Sequence, residues 1–434
     1  MFQFIINRGE YNAKFFYYCF LVWTLSLVGW TWIERYRPAV VPQGDSAAFV
    51  RYASEKMDTE TVGNAAFTLI CNYEVCGEHY VSRGFQVTRD TPFQVASLSK
   101  WISAWGVMTL VQSGQINLDA PVSDYVKSWK LPESKFDAKQ VTVRRLLSHT
   151  AGLNDGLGYG GFLNENDVES LPASLTHASD TIIGRTGRVK VSKMPGNGFA
   201  YSGGGFTLLQ LLIEDVTGET FDAYMRKAVL VPLGMTNSGF LLNTSEEGRV
   251  AQSFETSGKL AQPRYYTATA AASLYTTTAD LVKFLRANDL NKADQLPQKI
   301  PLNYATIASM RIPNATKFGI PIWGLGHTIN YENNTGQLQL IGHDGGNMPA
   351  IRTTARLNPH TGNGIIILSS GQQDMSVSIW KEWTKWEIGR PRFLLFLYAN
   401  LSRMMLWAFG VVVLLLAMFG FSFLQKLNRD KLAR

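Results

Sequence analysis

Two long runs of uncharged residues lie near the ends of the chain, at Phe15–Ile33 and Met404–Leu424. As a helix, the first run would measure about 28 Å, close to the thickness of the hydrocarbon core of a bilayer. The second run is followed by a short basic tail, which favours the cytoplasmic side of a membrane. These features predict two transmembrane helices, with both termini in the cytoplasm and the residues between them facing outward.

A cleaved signal peptide is the alternative for the first run. The residues that follow it, Glu34-Arg35-Tyr36-Arg37, are charged or bulky, whereas cleavage sites carry small residues. The sequence therefore predicts an N-terminal tail at 1–14 and an uncleaved signal anchor at 15–33. If the anchor were cleaved, only the helix at 404–424, with its basic tail at 425–434, would contact membrane lipid.

The composition indicates a folded domain between the two runs. Hydrophobic residues make up 46% of the chain and charged residues only 17%, which excludes an intrinsically disordered protein. The sequence has no repeat or low-complexity tract between the runs, so we place one domain at 45–385. The net charge of +7 is not concentrated in a central basic patch, which argues against a nucleic-acid partner.

Local patterns in this domain predict an α+β fold. Strand-like runs occur near both ends of the domain, with helix-like runs between them. The predicted strands are Ala65–Cys71, Gly77–Phe85, Ala350–Leu357 and Gly364–Ser370, and the predicted helices are Ser97–Ser113 and Phe206–Val216. The simplest assembly is an antiparallel sheet built from the two ends of the domain and flanked by helices.

Two cysteines flank the loop that joins the first two predicted strands. A four-residue loop between Cys71 and Cys76 would set their side chains opposite each other, so a disulfide and a pair of free thiols are both open. The sequence contains neither a CxxC pair nor an HExxH motif. We expect no metal and no cofactor.

A possible nucleophile lies at the start of the first predicted helix. In Ser97-Leu98-Ser99-Lys100, a hydroxyl and an amine are three positions apart and so share one helix face. Lys100 can accept the proton of Ser97 if burial depresses the pKa of its amine, and the helix N-terminus offers N–H groups to an oxyanion. The spacing alone is weakly specific, because Ser378 and Lys381 repeat it elsewhere.

The surroundings of Ser97 separate it from that second pair. Phe93–Lys100 leads into an apolar helix and resembles the first motif of the serine β-lactamase and penicillin-binding protein superfamily. The resemblance is greatest to the class C-like branch, which includes D-alanyl-D-alanine carboxypeptidases, D-aminopeptidases and family VIII esterases. Leu146–Leu153 and Pro232–Met235 match further family segments. The resemblance implies a mostly helical insertion beside the sheet, and a structural role for His149.

Tyr201-Ser202-Gly203 resembles the second family motif, Tyr-x-Asn. The resemblance implies that the Tyr201 phenol relays a proton between Ser97, Lys100 and the leaving group. The motif's asparagine, which contacts a substrate amide in β-lactamases, is replaced by Gly203. This departure argues against efficient β-lactam hydrolysis and leaves the proton relay intact.

The third family motif, Lys-Thr-Gly or His-x-Gly, has two candidates. His360-Thr361-Gly362 matches in spelling but lies in a turn, whereas His343-Asp344-Gly345 follows a strand-like run at Gln337–Ile341, so we choose His343. The resemblance implies that His343 orients the substrate and that Gly345 lets the substrate backbone lie close. The N–H groups of Gly346 and Ser97 would form the oxyanion hole.

Together these motifs predict a membrane-anchored serine hydrolase that forms an acyl-enzyme on Ser97. We expect its domain in the periplasm or outside the cell, on a bacterial inner membrane, acting on a small molecule or peptide with an acyl group. A D-amino-acid-type peptidase or carboxypeptidase is the leading expectation. An esterase or transesterase, and a sensor that is acylated by a β-lactam without turnover, are the alternatives.

Overall fold

The computed structural model describes residues 2–84, 86–153, 160–241, 249–290, 300–332, 338–347, 350–371, 374–389 and 401–432. The chain divides into two compact units. One unit is Val40–Ile388, and the other consists of the two terminal segments, Met1–Ala39 and Gly389–Arg434.

Helices and strands of the described residues are numbered in chain order. The helices are α1 (Phe2–Tyr36), α2 (Ser46–Glu60), α3 (Ser99–Gln112), α4 (Val143–Leu147), α5 (Leu171–His177), α6 (Gly203–Thr217), α7 (Phe221–Met225), α8 (Thr269–Ala272), α9 (Thr278–Arg286), α10 (Tyr304–Met310), α11 (Asp374–Ile388) and α12 (Leu401–Leu432). The strands are β1 (Ala65–Cys71), β2 (Glu74–Val81), β3 (Phe93–Gln94), β4 (Tyr275–Thr276), β5 (Ala315–Lys317), β6 (Ile320–Trp323), β7 (Thr328–Glu332), β8 (Leu338–Asn347), β9 (Ile351–Leu357) and β10 (Gly364–Ser370).

The prediction of two transmembrane helices is wrong. Phe15–Ile33 lies within α1 and Met404–Leu424 within α12, but none of the helices that the structure describes is both long enough and apolar enough to span a bilayer. Hydroxyl groups interrupt the apolar surface of the first run: those of Thr24, Ser26 and Thr31 each bond to a carbonyl one turn earlier. Lack of charge over a long run is therefore not sufficient for a membrane span.

The α+β part of the prediction is confirmed. The larger unit is built on an eight-stranded sheet in the order β2-β1-β10-β9-β8-β7-β6-β5, in which every neighbouring pair is antiparallel. Strands β1 and β10, from opposite ends of the unit, pair as the second and third strands of this sheet, with Ala65 opposite Ser369. Their side chains are almost all buried, because helices pack on the sheet.

Side chains alternate between the two faces of this sheet. On one face, Thr353 of β9 donates a hydrogen bond to the Val95 carbonyl, just before α3. On the other face, Arg356 of β9 lies over the ring of Trp380 in α11. The sheet therefore separates α3 from α11, and β8 and β9 each present residues to both sides.

The hairpin of β1 and β2 is tighter than the sequence predicts. Its turn is formed by Asn72 and Tyr73, which have positive φ angles of 49° and 64°, and β2 already begins at Glu74. Cys71 and Cys76 form a disulfide, with 5.7 Å between their Cα atoms, which resolves the choice left open by the sequence. The predicted end of the second strand, Phe85, lies outside the described residues.

Candidate active site

Ser97 lies in a 3₁₀ turn, Ala96–Leu98, immediately before α3. The predicted helix therefore begins two residues later, at Ser99. The backbone at Ala96 has a φ of 47°, a left-handed conformation that is rare for a residue with a side chain. Ser99 holds this turn: its hydroxyl donates to the Ala96 carbonyl at 2.5 Å and accepts from the Leu274 N–H at 3.0 Å. Ser97 is thus fixed at the helix N-terminus and is half-buried.

Lys100 lies beside Ser97 in the protein interior. It is 1% exposed, and its Nζ donates to the Ser97 Oγ at 3.0 Å and to the Ala271 carbonyl at 2.7 Å. The second bond aligns the amine, because α8 is itself held in place. Ser103 of α3 donates to the Ala270 carbonyl, and Gln210 of α6 accepts from the Ala270 N–H. The expected juxtaposition of hydroxyl and amine is present.

Tyr201 lies two residues before the start of α6, near the amine of Lys100. Its ring centroid is 5.1 Å from the Lys100 Nζ, and the side chain is 37% exposed. The next residue, Ser202, caps α6 by accepting a hydrogen bond from the Gly205 N–H at 3.0 Å. Gly203 is the first residue of the helix and offers no side-chain amide to the site.

His149 holds the backbone on both sides of Tyr201. Its Nδ1 accepts a hydrogen bond from the Ser202 N–H at 3.1 Å, and its carbonyl accepts one from the Ala200 N–H at 2.8 Å. Its ring lies 4.3 Å from that of Tyr201, between centroids. Burial, followed by the nearby charge of Lys100, holds the pKa of His149 well below its usual value, so the ring is neutral. These contacts fit the structural role that the resemblance implies.

Trp323 of β6 is a part of this site that the sequence analysis did not identify. Its ring is within 6 Å, between centroids, of four others that surround the site: His149, Phe199, Tyr201 and His343. Its indole N–H donates to the Leu147 carbonyl at 3.3 Å. Short strands such as β6 have no distinctive sequence pattern, and nothing in the spacing of motifs points to this residue.

His343 projects from β8 toward Tyr201, with 6.4 Å between ring centroids, and is 2% exposed. Its Nδ1 donates to the Asp344 carbonyl at 2.7 Å, because a carbonyl oxygen can only accept. Burial, followed by the charge of Lys100, lowers the pKa of His343 to about 3. The ring is therefore neutral at pH 7, and its Nε2 carries a lone pair rather than a proton.

Gly345 allows β8 to pass directly against the segment before Ser97. A Cβ atom at this position would lie 2.0 Å from the Val95 carbonyl oxygen and 2.3 Å from the Thr353 Oγ1. Only glycine fits this approach. The strand continues through His343, Gly345 and Gly346 to Asn347, whereas the sequence predicts a run ending at Ile341; the first residue of that run, Gln337, lies outside the described residues.

The alternative third motif lies elsewhere. His360 is exposed in the turn between β9 and β10. Three neighbouring residues tie this turn to Glu387 of α11, namely Asn358, Thr361 and Asn363. The structure thus brings His343, and not His360, together with Tyr201 and Lys100.

The buried histidines predict a loss of stability on acidification. Unfolded histidine binds a proton near its ordinary pKa of 6.5, whereas burial lowers the pKa of both His343 and His327 to about 3. Between these values the unfolded chain binds more protons, so the free energy of unfolding should fall as the pH decreases from about 6.5. Denaturant unfolding at about pH 7, 6 and 5 measures this slope. His327→Phe should reduce it, and equal stability at all three values would contradict the prediction.

Comparison with known proteins agrees with this architecture. The family model Beta-lactamase matches residues 49–382. Protein flp of Staphylococcus aureus (strain MRSA252) is 25% identical over 299 residues, which cover 68% of this chain and 56% of that protein. The chain thus spans little more than half the length of this relative.

One further similar sequence is an esterase, and a solved structure with a similar fold is a penicillin-binding protein homologue. Esterase EstB of Burkholderia gladioli is 31% identical over 160 residues, covering 36% of this chain and 41% of that protein. The octameric penicillin-binding protein homologue from Pyrococcus abyssi superposes with a TM-score of 0.60 at 23% identity, covering 78% of this chain and 76% of that one. With its Ser97–Lys100 pair on this fold, the chain belongs to the Beta-lactamase family and has the architecture of its serine hydrolases.

Proposed function

We propose that the protein is a serine hydrolase that forms an acyl-enzyme on Ser97. The hydrogen bond of 3.0 Å between the Lys100 Nζ and the Ser97 Oγ carries this proposal, because it joins a nucleophile to a base in a buried site. The second pair with the same spacing, Ser378 and Lys381, lies within α11 on the other side of the sheet.

In the proposed reaction, the unprotonated form of the Lys100 amine takes the proton of Ser97 as the serine oxygen attacks the substrate carbonyl. The N–H groups of Ser97 and Gly346 stabilise the resulting oxyanion. Tyr201 relays this proton from Lys100 to the leaving group as the tetrahedral intermediate collapses to the acyl-enzyme. A water molecule then attacks the ester, and the proton returns to Ser97 through the same groups.

For the substrate, we propose a D-amino-acid-type peptide that is cleaved outside the cytosol. The motifs of the class C-like branch support the first part of this proposal. The disulfide between Cys71 and Cys76 supports the second, because disulfides persist in oxidising compartments.

Hydrolysis of esters is the second candidate, and Gly203 favours it. At the position where a side-chain amide would contact the substrate amide, α6 begins with a residue that has no side chain. An ester has no N–H group to be recognised, so the lack of a side-chain amide at Gly203 should weaken the binding of an ester less than that of an amide. The similarity to Esterase EstB supports the same candidate.

Covalent labelling tests the proposed nucleophile. We expect a fluorophosphonate to add one adduct to the wild-type protein in intact-mass spectrometry, and none to Ser97→Ala, because that variant lacks the attacking oxygen. Ser378→Ala, the matched control, should label like the wild type. An unlabelled wild-type protein with a cooperative thermal transition would refute the serine hydrolase proposal.

A second experiment separates the substrate classes. The kcat/KM values for D-alanine p-nitroanilide and p-nitrophenyl butyrate are compared. A higher value for the anilide would support the peptidase, and a higher value for the butyrate ester would support the esterase. A penicillin adduct that persists on a protein turning over neither substrate would indicate a sensor. Ser97→Ala supplies the background rate for each assay.

A further inference from the structure

The side of β8 that faces away from Ser97 carries a second arrangement of charged residues. Its residues there are Gly342, Asp344 and Gly346, and they pair in the β8–β9 register with Arg356, Thr354 and Arg352, respectively. Of these three β8 residues only Asp344 has a side chain. It lies between two glycines, each of which pairs with an arginine of β9. Asp344 itself separates His343 from Gly345 in the sequence.

Asp344 is bound through both of its carboxylate oxygens. Thr354 donates to Oδ1 at 2.6 Å, and Arg356 donates from Nη2 to Oδ2 at 2.6 Å. Gly342 makes the second contact sterically feasible, since a Cβ there would lie 2.9 Å from the Arg356 Cγ. The guanidinium thus reaches past Gly342 to the carboxylate two residues further along β8.

Arg356 has few other ways to be stabilised. It is 2% exposed, and its guanidinium carbon lies 3.8 Å from the ring centroid of Trp380. Among the described residues, its Nε and Nη1 have no hydrogen-bond partner. Asp344 is the one carboxylate that pairs with this buried cation among the described residues, and the pair restricts the Asp344 side chain although that side chain is 45% exposed.

We propose that Arg356 is a positioning residue for the hydrolase reaction: through Asp344, it fixes the β8 backbone that carries His343 and the N–H of Gly346. This inference rests on the proposed function. The stretch of β8 from His343 to Gly346 has one face against the Val95 segment and the other tied by Asp344 to Arg356. Release of the second contact lets the oxyanion donor move, and transition-state stabilisation is sensitive to shifts of about 1 Å.

The test compares Arg356→Met with Arg286→Met. Methionine can still pack on Trp380 but cannot bind Asp344. Arg286 is the matched control, because its Nε donates to the Tyr73 carbonyl at 2.7 Å in a hairpin turn, where its role is structural. We expect Arg356→Met to slow fluorophosphonate labelling of Ser97 by roughly 10- to 100-fold. Arg286→Met should lower the melting temperature and leave the labelling rate within about two-fold of the wild-type rate.

Asp344→Asn provides a second route if Arg356→Met does not fold, because it keeps the size of the side chain while removing its charge. It should also slow labelling, and the double variant should label no more slowly than the slower single variant, since both changes break one contact. Arg356→Lys should recover part of the rate.

The outcomes separate this inference from the proposed function. Wild-type protein that does not label would overturn both. Wild-type protein that labels, with Arg356→Met or Asp344→Asn labelling equally fast, would overturn only the positioning role. If the reductions in labelling rate of Arg356→Met and Asp344→Asn multiplied in the double variant, the two residues would not act through one shared contact.

Discussion

Lys100→Met is expected to lower kcat/KM by at least about 10³-fold while leaving the protein folded. Methionine approximates the length of the lysine stem and fills the same buried space, so the loss reports the amine itself. Without the Nζ, the Ser97 hydroxyl loses the amine that lies 3.0 Å from it, and the bond to the Ala271 carbonyl is lost as well. Steady-state hydrolysis of whichever substrate proves active measures the effect.

The chain supplies a matched control for this experiment. Lys381 has the same spacing from Ser378 as Lys100 has from Ser97, and Lys381→Met should leave kcat/KM within about two-fold of the wild-type value. Thermal unfolding of both variants verifies the fold. If Lys100→Met kept more than about a tenth of the wild-type kcat/KM, another group would have to be the base, and Tyr201 would be the first to test.

Among substitutions that add a single methyl group to the site, Gly345→Ala is expected to cause the largest loss of stability and activity. The new Cβ would have to displace the Val95 carbonyl, 2.0 Å away, or the β8 backbone. Either movement would shift the two proposed oxyanion donors, the N–H groups of Ser97 and Gly346, relative to each other. We expect a loss of about 1–3 kcal/mol in stability from overpacking. We also expect a fall in kcat/KM of at least about 100-fold from misplaced donors.

Gly346→Ala provides the comparison for Gly345→Ala, because its new Cβ would meet the end of the flexible Arg352 side chain, which can move away. Its loss of stability should be the smaller of the two. Denaturant unfolding and active-site titration of both variants measure these effects. Equal stability of Gly345→Ala and wild type would show that β8 is free to move away from Val95.

The sequence predicts those parts of the fold that local patterns determine. Strands β1 and β10 have their predicted bounds, because short apolar runs and flanking turn residues mark them clearly. Strands β5 to β7 were not predicted, since they are short and only become strands by pairing with the edge of a sheet. The sequence pattern starts α3 at Ser97, two residues early, because the propensity for a helix does not distinguish a 3₁₀ turn from the first α-helical turn.

In the candidate site, too, some residues can be predicted from local sequence patterns and others cannot. Ser97, Lys100, Tyr201 and His343 were identified from motifs, and the structure brings them together. Trp323 and Arg356 could not be identified, because their roles depend on which strands pair and on which side of a strand each residue lies. Such information comes from the register of the sheet, which no local pattern in these segments determines.

The pairing of β1 with β10 affects how the protein can be made. Asn64, which immediately precedes β1, bonds to Ser370, 306 positions later, so β1 cannot pair with β10 until almost all of the larger unit has left the ribosome. During that time the apolar strand β1 has its neighbour β2 on one edge but not β10 on the other, and an unpaired edge favours association with other chains. The period before β10 emerges is therefore the time at which the new chain is most prone to aggregate.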